Sequence, residues 1–235
     1  MISPALFSDV DEAPRYTTLS LWDTYRAQMP LYSIIHSERM DDVINSFLDI
    51  YRKQGKLPVW HLMGCETDCM VGNPGICVTA DAVLKGFDGF DVQLAYDAMK
   101  ASALRPDRGQ DLRMKYGYIP CDLYGEAIAN DMEYAIADWA LAQVAEARGE
   151  SADYEYFMKR SKSYRYHFDQ ESGFMRGLDS KGNRTGNRKI TPQEWHELYL
   201  DSRPEMETVE GMDVPETDQK RPSRFKQMLI FLRRN

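Results

Sequence analysis

Trp22, Asp23 and Arg26 stand within one stretch of five residues, and their types suit a sugar ligand. An aromatic ring stacks on the apolar face of a pyranose, while a carboxylate and a guanidinium take its hydroxyls. Asp23 and Arg26 are three apart, so a helix carries them on one face. Asp23 has a plainer reading as well. Ser20-Leu-Trp-Asp23 has the spacing of a capping box, in which Asp23 only helps to start a helix.

A second group lies in the stretch Trp60 to Pro74, W-H-L-M-G-C-E-T-D-C-M-V-G-N-P. Trp60 offers a ring, and Glu66 and Asp68 offer acceptors for a polyol. The alternative is ordinary turn chemistry around Gly64 and Gly72. His61, Cys65, Cys69 and Cys77 invite a zinc reading, although their spacing departs from the usual C-x2-C pairs. Free cysteines buried for packing are the competing account. Glu133, Tyr134, Asp138 and Trp139 fall on an apolar helix, where a charge must be paired or face a polar cavity. Tyr134 and Asp138, at i and i+4, are spaced to satisfy one another. His36, His167 and His196 stand alone in the sequence, and there is no G-x-S-x-G, P-loop or H-E-x-x-H motif.

The elements that must position these residues are helical. Apolar periodicity predicts a helix from Ser20 through Met29, interrupted at Pro30, and a second from Arg39 to Gln54 stopped by Gly55. A third runs from Pro74 to Lys85, and a fourth starts at the N-cap Asp91. Residues 104–121 read as a long polar connection. The strongest helix covers 130–147, alanine-rich and apolar almost all round, so it should be buried. A sixth runs from Ser151 or Asp153 to Tyr166. The glycine-rich stretch 167–188 suggests a hairpin, and 191–200 a short helix. The expectation is an all-α chain of about six helices in antiparallel pairs with one small β-hairpin excursion.

The 235 residues, 43% hydrophobic and 28% charged with a net charge of −8, are ordinary globular composition. No overall basic surface argues for nucleic acid, and no apolar run approaches the roughly 20 residues that span a bilayer. The N-terminus has neither a basic region nor a long apolar one, which taken literally places the chain in the cytoplasm. Four cysteines in this length do not suggest a disulfide scaffold. The last twenty residues carry six of the 29 Lys and Arg residues and read as a tail.

Several ordered motifs resemble glycoside hydrolase family 92, the exo-acting α-mannosidases. They are Y-T-T-L-S-L-W-D-T-Y-R-A (16–27), L-P-V-W followed by G-C-E-T-D-C-M-V-G-N-P, D-A-V-L-K-G-F-D-G-F-D (81–91), Y-G-Y-I-P (116–120), M-E-Y-A-I-A-D-W-A-L-A-Q (132–143) and F-D-Q-E-S-G-F-M-R-G (168–177). The opening P-A-L-F-S-D-V-D is similar too. The resemblance implies a calcium-dependent enzyme, periplasmic or secreted, that removes terminal α-linked mannose with inversion. It also implies a β-sandwich followed by an (α/α)6 barrel, with the site where they meet. The six helices would then make a partial barrel over 1–211, followed by a divergent basic tail over 212–235.

By resemblance Glu210 is the general acid, and the residues singled out above, Trp22, Asp23, Arg26, Trp60, Glu66 and Asp68, are the expected contacts to mannose-containing glycans. The departures are pointed. The segment between Asp11 and Tyr16 is short, the β-sandwich has no counterpart, and Glu210-Gly211 runs on into Met212-Asp-Val-Pro, which reads as a truncation or a shifted frame. The general base and most calcium ligands would lie in the part not matched. An inverting glycosidase needs both carboxyl groups, roughly 6.5–9.5 Å apart. The chain is therefore expected to be inactive alone. The alternatives are a mannose-binding module completed by a complementary chain or by self-association, and a zinc-binding helical protein.

Overall fold

The computed structural model describes residues 14–17, 19–185, 196–197 and 199–201. The chain divides into two compact units, Met1–Arg188 and Lys189–Asn235. The expected boundary at 211 lies outside the described residues. In the second unit, 196–197 and 199–201 are helical, of which all but 201 fall within the helix expected over 191–200.

The first unit is mostly helical. A short strand, β1 (Leu19–Ser20), leads directly into α1 (Leu21–Thr24), and after Tyr25–Ala27 the chain forms α2 (Gln28–Ile35). The single helix expected here is thus broken before Pro30, not at it. Pro30 sits in the first turn of α2, where a missing N–H costs nothing. α3 (Met40–Gln54) buries Met40, Val43, Ile44, Phe47, Leu48 and Ile50 along one stripe. It ends at Gly55, whose φ of +75° closes the last turn through an N–H to the Tyr51 carbonyl.

Next come β2 (Trp60–Leu62) and β3 (Cys65–Glu66), followed by α4 (Pro74–Leu84) with proline in its first turn. α5 (Val92–Leu104) is capped as its sequence requires: the Asp91 carboxylate accepts the Leu94 N–H at 2.9 Å. α7 (Ala127–Ala147) packs on α4 and α5, and also on α8 (Ser151–Arg160), to which it is joined by three residues that turn the chain back. Small side chains make this close approach possible: Ala137, Ala142 and Ala145 of α7 and Ala80 and Ala82 of α4 are buried in the same core as Phe47 and Phe157. α9 (Tyr164–His167) then leads into a hairpin of β4 (Phe168–Asp169) and β5 (Phe174–Met175), in the stretch where an excursion was expected.

The polar connection over 104–121 holds a further helix, α6 (Gln110–Tyr116), bounded by Gly109 and Gly117, both at positive φ. Its inward residues are Gln110 and Arg113, neither of them apolar. Arg113 Nε donates to Asp131 and Nη1 to Asp138, each at 2.5 Å, while Nη2 reaches the Arg160 carbonyl and the Ser163 hydroxyl. Arg160 Nε closes on Asp138 at 3.1 Å, and His167 Nε2 lies 2.8 Å from Asp131. Two corrections follow. Tyr134 and Asp138 do not satisfy one another: the Tyr134 hydroxyl donates to the Arg108 carbonyl and Asp138 binds two arginines. Nor is His167 isolated, since it is fully buried against Asp131.

Burial opposes the Asp131 carboxylate, but the His167 hydrogen bond and the Arg113 guanidinium outweigh it and hold the carboxyl below its usual range. Arg113→Met would leave two buried carboxylates short of charge. It is expected to cost about 3–5 kcal/mol of stability, read as a lower urea midpoint at unchanged slope.

The hairpin carries its own acidic lock. The Ser172 hydroxyl, the Arg176 guanidinium and the Glu171 N–H hold the Asp169 carboxyl at about 2, against an ordinary 3.8. A depressed folded value contributes stability above the ordinary value and loses it as pH falls through the folded one. Melting curves taken between pH 3.8 and about 2 should show this loss in the native chain and a shallower slope in Asp169→Asn.

Candidate functional site

β1 pairs with β2 (Ser20 opposite Trp60) and β2 with β3 (His61 opposite Glu66), all antiparallel. The two groups of candidate residues, separated in sequence, are thereby tied to one three-stranded sheet: Trp60 and Glu66 lie in it, and α1 follows it with Trp22 and Asp23. Met63 and Gly64 join β2 to β3 with positive φ at both positions, the two-residue hairpin turn that matches strand twist.

Glu66 works mainly on the loop itself. Its carboxylate accepts the N–H of Val59 at 2.6 Å, of Trp60 at 3.0 Å and of Asp68 at 3.2 Å, which ties the loop to its own backbone. Asp68, with φ +52°, pairs with Lys56, and Arg108 Nη1 stands 3.7 Å away. Arg108 also donates to the carbonyls of Asp68 and Met70, which closes the loop on its far side. The turn chemistry anticipated for these two carboxylates is therefore present. Asp23 is exposed on α1, and Ser20 makes no side-chain cap, so the capping box is not formed.

The guanidinium of Arg26 lies 5.2 Å from the Trp22 ring centre and 4.6 Å from that of Tyr25. Its Nη1 donates to the Tyr25 hydroxyl and its Nη2 to Glu133 of α7. Tyr25 in turn donates to Glu133 at 2.7 Å. Trp22 Nε1 is enclosed and finds no acceptor among the described residues. Behind Glu133 stands Gly72, at φ +81°; a Cβ there would come within 2.4 Å of the Glu133 Cβ. Tyr25 is the member of this cluster that sequence reasoning passed over, and Glu133 was singled out there without its partners. The only signal was the charge of Glu133 on an apolar helix, and its partner lies 107 positions away.

The zinc arrangement is not formed. Among the described residues no three His, Cys, Asp or Glu side chains converge into a group able to hold a metal ion. His61 is buried, Cys65 and Cys69 are exposed rather than buried, and burial with the Glu133 charge nearby pushes the Cys77 thiol up to about 12. The described residues do not fit the calcium implied by the family resemblance either, because Glu66, Asp68 and Glu133 are held by N–H groups and cations. Glu210 lies outside the described residues.

The profile of the "Glycosyl hydrolase family 92 catalytic domain" matches residues 3–215. The chain belongs to glycosyl hydrolase family 92. It is similar to a solved family GH92 α-mannosidase of Bacteroides thetaiotaomicron, 38% identical with a TM-score of 0.73, over 76% of this chain and 24% of that one. That enzyme has also been solved with mannoimidazole. A solved family GH92 inverting mannosidase of the same bacterium is 31% identical, with a TM-score of 0.72, over 77% of this chain and 25% of that one. A protein of Arthroderma benhamiae described as an "Uncharacterized secreted glycosidase" is 28% identical over 174 residues, 66% of this chain and 22% of its own length. The chain thus spans about a quarter of the family 92 structures it matches. Its helices form part of the family's α/α barrel. Among the described residues no helix is long and apolar enough to cross a membrane.

The Tyr25–Glu133 contact can be tested directly. Burial raises the Tyr25 phenol, and the hydrogen bond to Glu133 and its charge raise it further, against the Arg26 guanidinium. In Glu133→Gln the phenol should ionise at lower pH than in the native chain, yet above the ordinary 10.0 because burial persists. Alkaline titration of the Tyr25 ring signals by NMR checks both statements.

Proposed function

We propose that this chain is a catalytic-domain portion of a family 92 α-mannosidase, holding part of the site for terminal α-1,2-type mannosides and catalytically silent on its own. The observation that carries this reading is the similarity to α-mannosidases over about three quarters of the chain but only about a quarter of their length. In this reading Arg26 is the main substrate contact. Trp22 and Tyr25 support its guanidinium and Glu133 fixes its direction, leaving the remaining N–H donors for sugar hydroxyls. Asp23 and Trp60 complete the polar and aromatic rim, while Glu66 and Asp68 shape the loop that carries it.

Glu210 is the general acid in this proposal. Inversion also requires a base on the opposite face of the sugar, about 6.5–9.5 Å from the acid, and the motifs matched in this chain supply no counterpart. The parent enzyme is taken to act on mannose-containing glycans, such as those of N-glycoproteins, outside the cytoplasm and with calcium. A second reading, a module completed by another chain, draws on α7. Ile136 and Trp139 lie on its outer side and are 46% and 53% exposed, an apolar face that a complementary chain or a second copy would cover.

The deciding experiment offers α-1,2-linked mannobiose to the purified chain, with calcium and then with chelator, and follows mannose release. No release is expected, together with weak binding of mannoimidazole that falls about tenfold or more in Arg26→Ala. Calcium-dependent release that disappears in Glu210→Gln would overturn the claim that the chain is silent. A sample that co-purifies with a larger complementary chain would favour the second reading.

A further inference from the structure

A cavity of about 580 Å³ opens between α6, α8 and α9, away from the Arg26 cluster. The volume falls in the range of roughly 300–1,000 Å³ usual for small-ligand sites. No Asp or Glu lines it. At its floor the charges of Arg113 and Arg160 are balanced by Asp131 and Asp138. Around its rim Lys159, Lys162 and Arg165 are exposed, and none of the three side chains makes a hydrogen bond or ion pair among the described residues, the Arg165 guanidinium lying only 5.9 Å from the Tyr164 ring centre. These three positive charges stand together, uncompensated, on a chain of net charge −8.

Cations at the end of α8 have an ordinary use, answering the helix dipole and its last carbonyls. That use is already filled here. The carbonyls of Phe157 and Met158 are taken by Ser161, that of Lys159 by the Lys162 N–H, and that of Arg160 by Ser163 and Arg113. The side chains of Lys159 and Lys162 are left free of this work. The Arg160 guanidinium is enclosed beneath them, 5.5 Å from the ring centres of both Tyr156 and Phe157. Two exposed rings, Tyr156 and Tyr166, also line the cavity. Free ammonium and guanidinium donors in a concave site recognise phosphate, and flanking tyrosines give a sugar-sized ring a surface to lie on.

We propose that this cavity binds a phosphate monoester carried on a sugar. Lys159, Lys162 and Arg165 hold the phosphate oxygens, and Tyr156 and Tyr166 flank the ring. The inference does not rest on the mannosidase reading.

The test titrates the full chain, by calorimetry, with mannose 6-phosphate, inorganic phosphate and mannose in turn. Mannose 6-phosphate should bind about tenfold or more tighter than inorganic phosphate, and its affinity should fall as salt is added. The double variant Lys162→Glu/Arg165→Glu should weaken it by about tenfold or more while its melting temperature stays the same, because both side chains are exposed. Arg26→Ala should leave this binding unchanged. Equal binding of phosphate and mannose 6-phosphate would overturn the sugar part. No binding, or undiminished binding by the double variant, would overturn the site itself. A loss in Arg26→Ala would move the ligand to the other cluster and overturn it equally.

Discussion

A single buried guanidinium organises the second half of the described chain. Arg113 reaches from α6 between α7 and α8 and is held by Asp131 and Asp138, all three side chains at most 2% exposed. Alone, a helix of seven residues is far too short to persist in water. α6 exists because Arg113 anchors it. The same contact explains how an alanine-rich helix tolerates two aspartates on its buried side. Such an ionic cluster contributes little net stability compared with a well-packed apolar one, but breaking it is costly. Its effect is to fix which turn of α6 faces which turn of α7. With that register set, the Arg160 carbonyl, Ser163 and His167 are drawn in as well.

The Arg26 cluster is built on different physics. Its supports are strands of two or three residues, which have no stability of their own. The backbone-directed carboxylate of Glu66 and the reach of Arg108 across the loop take the place of length. Arg26 itself is 45% exposed and gains definition from two rings and one carboxylate, not from burial. A long cationic side chain aligned in this way has little conformational freedom left to lose when a ligand arrives.

The long helices were legible because their apolar periods and end signals agree. Asp91 caps α5, Gly55 stops α3 and Pro74 starts α4, each where the sequence says it should. α6 was not legible, because its inward residues, Gln110 and Arg113, are polar and leave no apolar stripe to count. The sheet was hidden for another reason: strands this short show no alternation. At the Arg26 cluster, residue types pointed to Trp22, Asp23 and Arg26, but only the fold brings in Glu133. Periodicity describes neighbours on one element and says nothing about a partner on another. The family resemblance supplied what spacing could not, and it rests on ordered motifs along most of the chain.

Gly72 ties these elements together in a way that bears on how the sequence can drift. Its backbone rests against the stem of Glu133, closer than any side chain would permit. A substitution there would be registered first by Glu133 and then by Arg26, whose orientation depends on it. Positions 72, 133 and 26 are therefore not free to vary one at a time. A lineage that lost the glycine would retain the aromatic and charged residues by which this stretch is recognised, while the arginine among them pointed elsewhere.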